Sequence, residues 1–217
     1  MTTTRPFPAA ARRAVLGGIV LASAGLLMAQ APTQAGAIEV SGAFGAAAHL
    51  PSLSSALQSD LAALGVTASV SGSNFDWYAG GSFGYAVRPS LLIVGQTNYN
   101  HAGSANISTS DGTFSSSLSL TDFTGGVHWQ LPVGSQKLVP YLAVEAGGTR
   151  VAGSVSGSAL PVSVSTSSTA RTFEFGGGVR YYIHPSWGIR PEVMVVRIPG
   201  TTYVRIGVGV FWQSKAN

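Results

Sequence analysis

The sequence predicts an all-β chain folded as an eight-stranded antiparallel transmembrane β-barrel. Three observations predict it: an apolar stripe of period two, its recurrence in eight segments, and an export signal ahead of them. The stripe is clearest in Tyr203-Val-Arg-Ile-Gly-Val-Gly-Val-Phe-Trp212. Val204, Ile206, Val208, Val210 and Trp212 share one parity; Tyr203, Arg205, Gly207, Gly209 and Phe211 share the other. Such alternation marks a strand with one apolar face. A soluble sheet carries the same stripe, and it is the export signal that moves the expectation to an outer membrane.

The signal occupies residues 1–37 and leaves 38–217 as the barrel domain. Arg5, Arg12 and Arg13 charge its start, and Ala14 to Ala29 is apolar and small. That run suits a secretory signal and is short for a membrane-spanning helix. Two A-x-A sites follow, Ala29-Gln30-Ala31 and Ala35-Gly36-Ala37. A cut after Ala31 would put Pro32 just past the bond, which signal peptidases disfavour, so cleavage is expected after Ala37. Removing the first 37 of 217 residues leaves 180, enough for one barrel domain.

The charge balance then changes meaning. The whole chain has 12 Lys+Arg and 8 Asp+Glu; without the three leader arginines the balance is 9 to 8. No basic cluster remains to follow phosphates, so no nucleic-acid partner is expected. The absence of cysteine excludes disulfides, thiolate metal sites and cysteine nucleophiles.

Strands are expected near 38–49, 75–88, 91–101, 117–131, 138–150, 171–183, 188–198 and 202–213. Each reaches the roughly 9–11 residues that a tilted strand needs to cross a bilayer. Arg88-Pro89-Ser90, 132–137 and 184–187 read as tight turns. The links 51–74, 102–116 and 151–170 read as long Ser/Gly/Ala/Thr-rich loops, the first with a short helix at 53–64. Short periplasmic turns and long outer loops belong to outer-membrane barrels. The short link Pro199-Gly200-Thr201 departs from the trend. A strand–Pro-Ser–strand unit recurs, with Pro89 and Pro185 in turns where no ladder bond is lost.

The charges decide which face is which. Glu39, Asp76, Asp122, Glu145, Glu174 and Glu192 fall on the small or polar parity, with Arg88, Arg180, Arg190 and Arg205. Phe44, Phe83, Phe123, Val127, Val144, Phe173 and Val193 fall on the other parity. Charged residues are only 9% of the chain, low for a wetted face and ordinary for a packed lumen. Trp77, Tyr85, Trp129, Tyr181 and Trp212 on the apolar parity are expected in interfacial girdles. Arg150 and Arg197 also fall there, at outer strand ends, and are candidates for contact with lipopolysaccharide phosphate.

On these residues the chain resembles small outer-membrane barrel families, the OmpA-like transmembrane domain and the opacity-type porins, over 38 to about 213. The most specific element is Arg205-x-Gly207-x-x-Val210-x-Trp212, which is similar to the families' terminal assembly signal. The resemblance implies that the barrel assembly machinery reads this strand. Gln213 to Asn217 trail beyond the aromatic on which the families usually end. Members act as adhesins, structural anchors, small pores or invasion factors. A wall-binding periplasmic domain of the OmpA type is not expected here, nor is wall anchoring.

An eight-stranded lumen is just wide enough for side chains to fill. Unpaired charges there are costly, so Glu39, Glu145 and Glu174 are expected to face Arg180, Arg190 and Arg205 as ion pairs that plug the barrel. A rearranging network would instead gate a narrow porin-like channel. A lipid A-modifying enzyme is the third reading, from His101 near Ser104 with Asp111 and Asp122. Its spacing differs from that of the known barrel deacylases. His49, His128 and His184 show no metal-ligand spacing, and no helix follows the glycines at 176–178, so neither metal nor other cofactor is expected. The expected partners are outer-membrane lipid, lipopolysaccharide and the assembly machinery. The sequence leaves oligomeric state open.

Overall fold

The computed structural model describes residues 33–50, 69–72, 76–109, 112–131, 137–157 and 163–214, with isolated positions 63 and 135. The strands are β1 (Ile38–Leu50), β2 (Ser69–Gly72), β3 (Asp76–Arg88), β4 (Leu91–Thr109), β5 (Gly112–Gln130), β6 (Leu138–Gly157), β7 (Ser163–His184), β8 (Trp187–Ile198) and β9 (Thr201–Gln213). All pairings are antiparallel. β1 pairs with both β3 and β9, and β4 closes onto β5, so eight strands form a barrel without an edge. β2 lies outside that circle and pairs only with the far end of β4, Ser69 opposite Ser108.

Alternation sorts every strand into an inner and an outer face. On β9, Tyr203, Arg205, Gly207, Gly209, Phe211 and Gln213 are buried; Ile206, Val208, Val210 and Trp212 are exposed. Outward Phe44 is 70% exposed and Phe173 60%. Such side chains would be strongly unfavourable in water and belong in hydrocarbon. At the tight-turn end, Tyr85, Trp129, Tyr181, Trp187 and Trp212 point outward. At the other end Trp77 and Tyr99 do, with ring centroids 5.6 Å apart. On β3, Tyr85 and Trp77 are separated by roughly 20 Å along the barrel axis, from strand rise and tilt. That matches the apolar band of a small barrel, with aromatic girdles at both margins.

Two expectations change here. Residues 102–116 and 151–170, read as loops, are largely strand: β4 runs to Thr109, β5 starts at Gly112, β6 runs to Gly157 and β7 starts at Ser163. Their Ser/Thr-rich backbones pair in long hairpins, with rungs such as Ser117 Oγ to Ser154 Oγ at 2.8 Å. Beyond the bilayer both faces meet water, so no apolar stripe announces these strands. The helix expected at 53–64 lies outside the described residues, save Ala63.

Chain upstream of β1 also folds into the barrel. Gln34 to Ala37 form a turn closed by Ala37 N–H donating to Gln34 carbonyl at 3.1 Å, with Gly36 at φ +86°. A positive φ at the third position is a type II requirement that glycine meets without strain. The turn directs Thr33, 1% exposed, into the lumen mouth.

Candidate functional site: the barrel lumen

The inward parity of the barrel strands places polar and charged side chains in the lumen in tiers. At the tight-turn end, the Arg180 guanidinium of β7 donates to both carboxylate oxygens of Glu39 of β1, with Nη2 3.0 Å from Oε1. A bidentate fork suits buried guanidinium–carboxylate pairing, because each donor meets an acceptor. Gln213 Nε2 donates to Glu39 Oε2 at 2.7 Å, and Arg190 Nη1 lies 3.4 Å from Oε1. Arg180 also sits 5.3 Å from the ring centroids of both Tyr141 and Phe211, a cation held between aromatic faces.

In the middle tier, Arg190 Nε stands 3.0 Å from Glu192 Oε2, which also accepts from Tyr141 Oη at 2.7 Å. His128 Nε2 and Glu145 Oε1 are 3.0 Å apart, and Thr124 Oγ1 donates to Glu145 Oε2 at 2.8 Å. The His128 ring stacks on Tyr141, centroids 5.0 Å apart.

In the third tier, Arg205 of β9 donates to Glu174 of β7 and, at 3.1 Å, to Asp122 Oδ2 of β5. Gln96 Nε2 donates to Glu174 Oε2 at 3.1 Å. Asp122 accepts from Asn100 Nδ2 at 2.8 Å, Tyr203 Oη at 2.7 Å and Thr149 Oγ1 at 2.6 Å. Above it, Ala47, Ala102, Leu120, Val196 and Ile198 pack around Tyr203 as a small apolar layer.

The lumen thus gathers Glu39, Asp122, Glu145, Glu174 and Glu192 with Arg180, Arg190 and Arg205. Asp76 is also buried, at the far end of β3. Arg88, expected among the lumen cations, is instead exposed. A register shift between Ala86 and Arg88 carries it past the barrel wall, next to the Pro89-Ser90 turn. Carboxylates therefore outnumber guanidiniums inside, and hydroxyl, amide and imidazole groups bond further carboxylate oxygens. Gln96, Asn100, Thr124, His128, Tyr141, Thr149, Tyr203 and Gln213 supply them. Sequence reasoning missed these as site residues, although each falls on the inward parity of its strand.

Glycine makes room for this filling at one junction. Gly45 and Gly207 pair across β1 and β9, and Tyr78 of β3 lies over both. A Cβ on Gly207 would collide with Tyr78 Oη and the Phe44 carbonyl. The Tyr78 ring in turn lies 5.4 Å from the Arg205 guanidinium. In the terminal element, Arg205 and Gly207 therefore face the lumen, and Val210 and Trp212 face outward.

The outer rim carries a second cluster. Arg150 of β6 and Arg197 of β8 are exposed, and Arg171 of β7 stands between them. Arg150 pairs with Thr169 and Arg197 with Phe173, so Arg171 is two residues from each partner on the same face. A groove beside it is lined by Arg171, Phe173, Arg197, Pro199 and Thr201. His101, by contrast, stacks outward on Trp77, centroids 6.0 Å apart, while Asp122 lies inside the lumen. The wall of the barrel separates them, so they do not form a catalytic pair; Asp111 lies outside the described residues. Among the described residues, no three His, Cys, Asp or Glu side chains are grouped to hold a metal ion.

A closed eight-stranded barrel with an apolar outer belt, two aromatic girdles and a polar lumen defines a small outer-membrane β-barrel protein. Residues 19–213 match the model of the outer membrane protein beta-barrel domain, and the chain belongs to that family. Its location is accordingly the bacterial outer membrane, with the tight turns toward the periplasm. Among solved structures it is similar to Ail, the attachment invasion locus protein of Yersinia pestis. The identity is 10% and the TM-score 0.53, over 83% of this chain and 100% of that one. It is also similar to Neisserial surface protein A, at 15% identity and TM-score 0.52, over 82% and 98%. A search of the curated proteins found no match.

Proposed function

We propose that this protein is a non-catalytic surface and structural barrel whose lumen is plugged by its own side chains. The observation that carries the reading is Arg205, which bonds Asp122 and Glu174 and so ties three strands together through the interior. With Arg180 bound to both oxygens of Glu39 and Arg190 near Glu192, the centre is crowded with paired charges. Moving such pairs apart in a low dielectric is costly, so the network acts as a fixed filling and not as a gate.

What faces outward then performs the work. The β4–β5 and β6–β7 hairpins rise beyond the apolar belt and offer a nearly uncharged Ser/Thr surface. At their base, Arg150, Arg171 and Arg197 engage the phosphates of lipopolysaccharide. During biogenesis, the barrel assembly machinery reads Arg205, Gly207, Val210 and Trp212 on β9.

Proteoliposomes suspended in isotonic pentose solution test the plug. They swell no faster than empty vesicles if the lumen is filled. Swelling at porin-like rates would make the protein a narrow channel and the Glu/Arg network its gate.

A further inference from the structure

We infer that Thr33–Ala37 is retained in the mature protein as a seal across the periplasmic mouth of the lumen, so export processing falls before Thr33. The Thr33 hydroxyl lies 2.9 Å from Gln130 Nε2 of β5, 2.9 Å from Tyr182 Oη of β7 and 3.2 Å from Gln213 Nε2 of β9. Gln130 Oε1 stands 3.1 Å away as a further acceptor for it. One side chain thus joins three strands at the barrel end.

The contacts continue into the lumen. Gln213, besides reaching Thr33, donates to Glu39, the partner of Arg180. The backbone ties the segment down as well: Gly36 N–H donates to the Ala86 carbonyl at 2.7 Å, and Ala86 N–H to the Ala37 carbonyl at 2.9 Å. Ala37, 3% exposed, completes a small apolar cluster with Ala86, Leu92 and Val94.

Cleavage after Ala37 would remove all of this. Gln130, Tyr182 and Gln213, each nearly fully buried, would lose the hydroxyl they share, and losing hydrogen bonds at a buried site is costly. The Ala35-Gly36-Ala37 triplet, which reads as a peptidase site, has a second reason for its small residues. Gly36 supplies the positive φ of the turn, and Ala37 fits the apolar cluster.

Two measurements on protein purified from outer membranes test the inference. N-terminal sequencing is expected to give a first residue at or before Thr33; a first residue at Gln34 or later overturns it. The Thr33→Val variant, with its own N-terminus sequenced, keeps the shape and removes the hydroxyl. Its melting midpoint in detergent is expected to fall by about 4 °C or more. A midpoint equal to that of the unchanged protein would show that the segment seals nothing.

Discussion

Arg180 on β7 and Glu39 on β1 meet as a bidentate pair across the lumen, although they lie 141 positions apart in the chain. No local sequence feature links them. Each is inward by parity, and barrel closure through β8 and β9 brings them together. The same rule places Arg205 between Asp122 and Glu174. Pairing in the lumen is thus a consequence of alternation plus closure.

Breaking that pairing is expected to be expensive. Arg205→Ala leaves Asp122 and Glu174 buried without their cation and should cost about 3–5 kcal/mol. Urea unfolding of the refolded protein in detergent measures it. Adding Asp122→Asn and Glu174→Gln removes the stranded charges, and most of the loss should return. A single variant as stable as the unchanged protein would mean the pair contributes nothing.

Gly207 and Gly95 make a matched test of crowding. Gly207→Ala puts a methyl group against Tyr78 and the Phe44 carbonyl, and should destabilise by about 1–3 kcal/mol. Gly95→Ala adds the same methyl on the outward face, where nothing lies within 4 Å, and should change stability little. Equal effects of the two changes on the unfolding midpoint would contradict the packing described.

Charge on the lipid face gives a third expectation. Val208 points outward in the middle of β9, and Val208→Arg should cost about 2–4 kcal/mol near the bilayer midplane. Folding yield into lipid vesicles, followed by heat-modifiable gel mobility, reads the loss. Normal insertion would invert the assignment of faces.

The outer arginines predict a salt-dependent affinity. Replacing Arg150, Arg171 and Arg197 by Ser removes three charges from the rim, each worth about 1 kcal/mol near an anionic surface. Binding of lipopolysaccharide to the detergent-solubilised protein should weaken roughly a hundredfold at low salt. Unchanged binding would assign these residues to solvent alone.

The parity of the barrel was legible because two solvents impose opposite demands on alternate residues. Phe173 must suit lipid and Glu174 must suit the lumen, and the stripe records both. That logic fails where the demands stop alternating. In β4–β5 and β6–β7, Ser115 and Ser154 stand where both faces meet water, so strand and loop read alike. Arg88 shares the lumen parity but lies past a register shift beside a turn, where parity no longer reports direction. Thr33 was hidden differently: its contacts come from β5, β7 and β9, and the small residues after it resemble a cleavage site. His128, Tyr141 and Tyr203 shared the inner parity, but only their geometry shows that they bind carboxylates.

Single-channel recording of the refolded protein in a planar bilayer tests the plugged lumen most directly. Insertion is verified beforehand by heat-modifiable mobility and β-sheet circular dichroism. Protein that has folded and inserted is predicted to stay electrically silent, while Arg205→Ala, with its central pairs broken, shows current. Stable, reproducible conductance steps from the unchanged protein would contradict the account and make the Glu39, Glu174, Arg180 and Arg205 network the lining of an open pore.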